Sequence, residues 1–320
     1  MKKTKFQPYI SFVMTGRNDN YAGNFLERMQ TSLEITIRLI EKFELSAEII
    51  IVDWNSPKNK NLRKTLTFPK NLKNSIIRII EVPSDIHKRL PYSNNRFVLE
   101  YTAKNVGARH ANGEYILATN PDIIFNTSLI KYLASKKLSP NFFYRSIRYD
   151  VKGQIPANYS ISEKLEYCEK NINKVYGYLG TLSKKKILEY LIDVLLYPRS
   201  LIRFFPFVPP HTNAAGDFFL MHKKRWLAVR GYPEIEGWQQ IDGIIVLQAL
   251  FLPLKQKILG GPMKIYHQEH PTDPNKNKYR SPAVEKAYKR LMNLKKTIIF
   301  NSKDWGLAKY NLTEAVFGRK

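Results

Sequence analysis

Two carboxylates stand where apolar runs stop. Tyr115-Ile116-Leu117-Ala118-Thr119 breaks at Asn120-Pro121-Asp122, and Glu48-Ile49-Ile50-Ile51-Val52 breaks at Asp53, with Trp54-Asn55-Ser56-Pro57 after it. Short runs of tyrosine, leucine and β-branched residues favour a buried, pleated strand. Pro121 has no N–H to give a ladder, so the first of these strands ends at Asn120. Each acid is thereby delivered at the carboxyl end of a strand, the edge where open α/β sheets bind ligands. A carboxylate in that place can hold a divalent cation and the phosphates the cation carries. Taken alone, Asn-Pro-Asp is an ordinary turn and Asp53 an Asx turn. A third apolar run, residues 9–14, ends in the polar loop Thr15-Gly16-Arg17-Asn18-Asp19-Asn20. Three such loops on one edge of a sheet are the first sign of a site.

The elements that must position these residues alternate. Residues 25–43 carry apolar side chains at Phe25, Leu26, Met29, Leu33, Ile37, Ile40 and Phe43, close to helical spacing. Residues 76–82 form a further strand. Strand–helix–strand alternation predicts a parallel sheet with right-handed crossovers. The slight residues Ala103, Val106, Gly107, Ala108 and Ala111 predict a helix lying close against its neighbours, with Gly113 as its C-cap. Lys104, Asn105 and Arg109 on that helix are then free to reach the strand ends. Farther on, Gly216-Asp217-Phe218 enters a strand, Asp242 opens an apolar helix over 244–252, and a strand over 263–266 delivers His267 and His270. Each has a structural alternative: a helix cap for Asp242, a buried hydrogen bond for Asp217, a loop contact for either histidine.

Composition bounds the rest. The chain has 320 residues, 43% of them hydrophobic and 12% aromatic, which predicts a folded protein with a sizeable core. A net charge of +25 predicts an anionic partner: nucleic acid, a membrane surface or a phosphorylated small molecule. The single cysteine, Cys168, excludes an intramolecular disulfide and a multi-cysteine zinc site, which fits a cytoplasmic protein. The apolar run after Met1-Lys2-Lys3 is too short for a signal peptide, and no run is long enough to span a bilayer. Residues 160–196 read as one or two amphipathic helices, with a stripe of Leu188, Leu191, Ile192, Leu195 and Leu196, followed by a basic, aromatic segment at 198–207. Such a segment either docks on the core, the commoner case, or lies peripherally in a membrane interface. With no linker or repeat, one domain is expected, divided into a nucleotide half (1–145), a helical insertion (146–210) and an acceptor half with a helical tail (211–320).

Three stretches carry a resemblance: Ala103-Lys104-Asn105-Val106-Gly107-Ala108-Arg109, Ala111-Asn112-Gly113-Glu114-Tyr115-Ile116-Leu117, and Asn120-Pro121-Asp122. Together with the strand-and-loop stretches 9–20 and 49–57, they resemble the core of family 2-like glycosyltransferases of the GT-A fold. Gly216-Asp217-Phe218, Arg230-Gly231-Tyr232-Pro233-Glu234 and Asp242 resemble the acceptor half of the same superfamily. The resemblance implies an α/β, Rossmann-like, mostly parallel central sheet flanked by helices. It implies a nucleotide-sugar donor, UDP-linked, and a hydroxyl acceptor on a glycan, glycolipid or glycoprotein. Asp53 would contact the base, with Thr15, Arg17, Asn18, Asn55, Lys104, Asn105, Arg109 and Asn120 around the nucleotide. Asp122 would bind the metal–diphosphate, completed by His267 with His270 in reserve. Asn120 stands where the family's D-x-D pattern has its first acid. Asp242 would be the general base of an inverting transfer, with Asp217 the second candidate.

That chemistry needs such groups. The acceptor hydroxyl must lose a proton as it attacks, which a carboxylate within hydrogen-bonding reach can take. The departing diphosphate gains charge that a metal ion, lysine or arginine must balance. Imidazole ligands favour Mn²⁺ over Mg²⁺, which stays an alternative. Two rival readings come from other classes. A nucleic-acid-binding protein would use the net charge, but no nucleic-acid motif is present, and carboxylates at strand ends repel phosphate, so no nucleic acid is expected. An inactive sugar-binding relative would explain Asn120.

Overall fold

The computed structural model describes residues 6–20, 22–177, 180–183, 210–237, 240–271 and 281–318. The apolar stripe at 188–196 and the basic aromatic segment at 198–207 lie outside the described residues. In chain order the elements are β1 (Ile10–Gly16), α1 (Phe25–Lys42), β2 (Ala47–Trp54), α2 (Leu62–Thr65), β3 (Ser75–Val82), α3 (Ser84–Lys88), α4 (Glu100–His110) and β4 (Tyr115–Thr119). There follow β5 (Ile123–Phe125), α5 (Thr127–Ala134), β6 (Phe142–Ser146), β7 (Arg148–Val151), α6 (Ile161–Lys170), β8 (Ile172–Gly177) and β9 (Gly180–Ser183). The last part holds β10 (Phe218–His222), α7 (Lys223–Val229), α8 (Ile241–Phe251), β11 (Lys255–Leu259), β12 (Ile265–Gln268), α9 (Pro282–Leu294) and β13 (Thr313–Gly318).

The molecule is mixed α/β, with a large, mostly parallel central sheet flanked by helices. That sheet has eight strands in the order β11-β6-β10-β4-β1-β2-β3-β13. Strands β3, β2, β1 and β4 are parallel; β10 runs against both β4 and β6, β11 is parallel to β6, and β13 runs against β3. A smaller sheet, β5-β12-β7-β8-β9, lies beside it. The central strands are apolar on both faces because both are covered. Along β1, Phe12 and Met14 enter one core with α1, β5 and β12, while Val13 enters the other with α4, α7 and α8. β1 has β2 on one side and β4 on the other, so consecutive crossovers leave it in opposite directions. A crevice opens outside the carboxyl ends at such a switch point.

Several expectations are corrected. Of the one or two helices expected across 160–196, the first, α6, stops at Lys170, and β8 and β9 follow as a hairpin whose first strand pairs with β7, while residues 184–196 lie outside the described residues. Its start is well marked, since Ser160 and Glu163 form a capping box. Gly113 is not the cap of α4, which ends at His110. Its N–H donates to Ser11 Oγ at 2.8 Å, and a Cβ there would sit 2.6 Å from the Ser11 backbone nitrogen. Close approach of the bend before β4 to the β1 backbone, not helix termination, requires that glycine. The tail is not only helical: β13 adds a strand beside β3 at one edge of the central sheet.

Candidate active site

The site is built on the carboxyl ends of β1, β2 and β4. At the end of β2, Asp53 is buried, accepting from Leu62 N at 2.6 Å and from the Ser56 hydroxyl. Ser56 Oγ in turn accepts from Asn18 N at 2.9 Å, which ties the β1 loop to the β2 loop. Burial pushes the Asp53 carboxyl up to about 6, against those two hydrogen bonds. Arg17 donates to the Asn55 carbonyl at 2.8 Å, pairs with Asp19, and lies 4.7 Å over the centre of the exposed Phe97 ring. Thr15 Oγ1 is turned back to the Val52 carbonyl at 3.0 Å. Thr15, Arg17, Asn18, Asp53 and Asn55 are therefore gathered in one place.

Beyond β4 the Asn-Pro-Asp turn splits two ways. Asn120 faces Lys104, a fully buried cation whose ammonium also donates to Glu100 at 2.7 Å and to the Gly216 carbonyl at 2.9 Å. Lys104 Nζ lies 2.6 Å from Asn120 Oδ1, and Asn120 Nδ2 donates to Asp217 Oδ1 at 2.7 Å. Asp217 Oδ2 accepts from Arg148 at 2.8 Å, and Arg148 grips both oxygens of Asp150 at 2.6 and 3.1 Å. Burial alone would raise the Asp217 carboxyl, but Arg148, with His267 and Lys104, holds it below its ordinary value.

Asp122 goes the other way. Its Oδ2 lies 3.4 Å from His270 Nε2, 3.7 Å from His267 Nε2 and 3.8 Å from Arg28 Nε. Among the described residues, Asp122, His267 and His270 are the one group of metal-ligating side chains that converges, with ligand atoms within 4.8 Å of one another. His270 Nδ1 is 2.9 Å from the Pro271 carbonyl, which can only accept, so that nitrogen carries the proton and Nε2 is a lone pair. His267 Nδ1 is 3.3 Å from Asp150 Oδ1. Burial opposes ionisation of Asp150, but the bonds from His267 and Arg148 bring its carboxyl down to about 2. The His270 Nε2 lone pair thus faces an anionic oxygen, and His267 Nε2 lies beside it. Three Lewis bases meeting in this way fit a divalent cation of the imidazole-tolerant kind.

Asp242 stands at the second residue of α8, with Gln240 in the capping position. Its oxygens accept from Gly216 N at 2.8 Å and from Gly243 N at 3.0 Å. Burial raises its carboxyl, against the Gly216 hydrogen bond and the charge of Arg145. The Gly216 loop is held open from behind by Arg145, fully buried on β6, which donates to the carbonyls of His211, Asn213 and Ala215 at 2.9, 2.9 and 3.4 Å. A cavity of about 200 Å³ adjoins α8, with Tyr92, Tyr101, Ile235, Ile241 and Tyr310 in its wall.

Two expected site residues are placed elsewhere. Asn105 is buried with its amide spent on Tyr232 N and O, both at 2.8 Å, and on Glu234 at 2.9 Å. It directly follows Lys104 in α4 but faces the 230–234 loop. Arg109, at the far end of α4, donates to the Lys303 and Trp305 carbonyls at 3.2 Å and lies over the Trp305 ring. Arg28, Glu100, Arg145, Arg148 and Asp150 were missed. Arg148 and Asp150 had a signal: two residues apart in a strand, they share one face.

No protein-family model and no curated protein matches this chain. Among solved structures it is similar to a crystal structure of S. aureus TarS 1-349, at 14% identity and a TM-score of 0.43, covering 81% of this chain and 60% of that one. It is also similar to S. aureus TarS 1-349 in complex with UDP-GlcNAc, at 15% identity and a TM-score of 0.49, covering 94% of this chain and 70% of that one.

Proposed function

We propose that this chain is a GT-A glycosyltransferase that moves a sugar from a nucleoside-diphosphate sugar to a hydroxyl acceptor with inversion. The observation that carries the reading is the meeting of the Asp122 carboxylate with two imidazole Nε2 atoms at the switch-point crevice. The cluster of Arg17, Asn18, Asp53 and Asn55 supplies the base and ribose contacts of a UDP-linked donor. Asp122, His267 and His270 would hold a divalent cation, Mn²⁺ by the softness of its ligands. That ion would neutralise charge gathering on the departing diphosphate.

Asp242 is the better of the two candidate bases. Its two backbone hydrogen bonds fix its orientation while leaving lone pairs open, and burial makes it readier to take a proton. Asp217 is bound on both oxygens and held ionised by Arg148, so it serves the architecture. In the step, the acceptor oxygen bonds to the anomeric carbon as the bond from that carbon to the diphosphate oxygen breaks. The hydroxyl proton passes to Asp242, and the nucleoside diphosphate leaves. The tyrosine-lined cavity beside α8 is a fitting cradle for a glycan, glycolipid or glycoprotein acceptor.

The test is thermal melting against a panel of nucleoside-diphosphate sugars, UDP-GlcNAc among them, with and without Mn²⁺. A ligand at a hundred times its Kd adds about 2.7 kcal/mol to the folded state. One nucleotide class is expected to raise Tm, more with Mn²⁺ than without, and Asp122→Ala to lose the Mn²⁺ increment. Asp242→Asn should keep the shift and lose transfer by about 10²- to 10⁴-fold. No shift with any nucleotide sugar, with or without metal, would overturn the reading.

A further inference from the structure

The charges around Asn120 form one continuous chain of contacts, Lys104, Asn120, Asp217, Arg148 and Asp150, which ends with Asp150 Oδ1 3.3 Å from His267 Nδ1. Its last link lies at the metal-ligating side chains. We propose that this chain is a positioning relay, and that Asp150 is its working end. Asp150 holds His267 with Nδ1 protonated, so that Nε2 presents a lone pair to the cation site. The inference rests on the metal reading given above, which names the ligands but not what orients them.

Three observations carry it. The register of β7 on β12 sets Asp150 directly opposite His267, so backbone pairing alone brings the two side chains together. Arg148 then fixes the Asp150 carboxylate by a two-toothed grip and leans 4.3 Å over the Tyr176 ring, which holds that carboxylate in place beside the His267 ring. Arg148 is itself fixed by Asp217, and Asp217 by Asn120 and Lys104. An imidazole whose Nδ1–H is taken by a carboxylate keeps one tautomer and one ring orientation, and becomes a more basic ligand at Nε2. Asn120 has a positive role here. Only a side chain that accepts from an ammonium with one atom and donates to a carboxylate with the other can bridge Lys104 and Asp217.

The experiment has two arms. In the first, the protein is labelled with ¹⁵N-histidine and its imidazole nitrogens are read by NMR without metal, at a mildly alkaline pH where imidazoles are neutral. His267→Gln identifies the signal. The parent should show His267 with Nδ1 protonated; Asp150→Ala should show a mixture or the other tautomer. In the second arm, Mn²⁺ affinity is measured by titration calorimetry. Asp150→Ala should bind about 10- to 100-fold more weakly than the parent. Asp150→Asn, which keeps an acceptor for Nδ1–H, should fall between them and serves if the alanine variant does not fold.

If both variants match the parent in tautomer and in Mn²⁺ affinity, the relay is wrong. If His267 in the parent carries its proton on Nε2, the relay is wrong whatever the metal does. If the parent binds no Mn²⁺ but Asp150→Ala still switches the tautomer, the metal reading fails while the orienting role of Asp150 stands.

Discussion

At the scale of single residues, Asn120 is the instructive position. It stands where the resembling family carries an acid, and its loss of charge would read as decay. Its surroundings say otherwise, because the amide is matched to Lys104 on one side and Asp217 on the other. Asn120→Asp would set two carboxylate oxygens about as close as the present 2.7 Å hydrogen bond, with no proton between them. We expect this variant to lose about 2–4 kcal/mol at neutral pH. The loss should shrink as pH falls and one of the pair takes up a proton. Denaturant melts of the two proteins across pH check this; equal stability at pH 7 would refute it. Asp53 makes a second prediction. Its folded-state value of about 6 lies above its ordinary 3.8, so ionising it costs the fold stability. The cost is absent below the ordinary value and complete above about 6, on the order of 2–3 kcal/mol. Asp53→Asn should therefore melt higher than the parent at neutral pH, with an advantage that narrows as pH falls through 6 toward 4. A gap that does not change with pH would remove the assignment.

At the scale of elements, α4 shows why small residues sit where they do. A Cβ at Gly107 would lie 2.4 Å from Val13 Cγ1 and 3.4 Å from Val52 Cγ2, so the helix rests directly on β1 and β2. That closeness brings Lys104 to the strand ends. On an exposed helix, glycine to alanine stabilises by about 0.5–1 kcal/mol. Here Gly107→Ala should instead cost about 1–3 kcal/mol through overpacking, read as a lower Tm. A higher Tm would mean that α4 can move off the sheet. The 230–234 loop is held to the same helix from its other side. A Cβ at Gly231, where φ is +71°, would meet Asn105 Oδ1 at 2.1 Å. Asn105 is therefore a clamp between helix, loop and tail, which accounts for its absence from the crevice.

At the scale of the whole molecule, the two halves named from the sequence interleave. β10 lies between β4 and β6, and β13, from the end of the chain, pairs with β3. The tail also closes on the loop that holds Asn105, with Gly306 N donating to Glu234 at 2.8 Å and Asn301 bonded to Arg230 and Tyr232. Loops from both halves meet at one crevice because the central sheet is continuous. Among the described residues no helix is long and apolar enough to cross a membrane.

The sequence by itself determined the parallel core of the sheet and the ends of its strands. Short continuous apolar runs, β-branched residues and one proline are local properties, and they sufficed to put Asp53, Asp122 and the Arg17–Asn18 loop on one edge. Local pattern also singled out His267 and His270, though it could not bring them to Asp122, which lies far away in sequence. Only the tertiary structure decided that meeting, through the pairing of β12 with β5 and β7. It likewise separated Asp217 from Asp242. Both look alike in the sequence, as an acid beside a glycine, but one is neutralised by Arg148 and the other is held by backbone N–H groups alone. The hairpin of β8 and β9 and the strand β13 were hidden for the same reason. Edge strands carry a weak local signal and are defined by the neighbour they pair with. Charge networks such as the one running from Lys104 to His267 are hidden still more completely, because each link is a distance across the fold and none is a spacing along the chain.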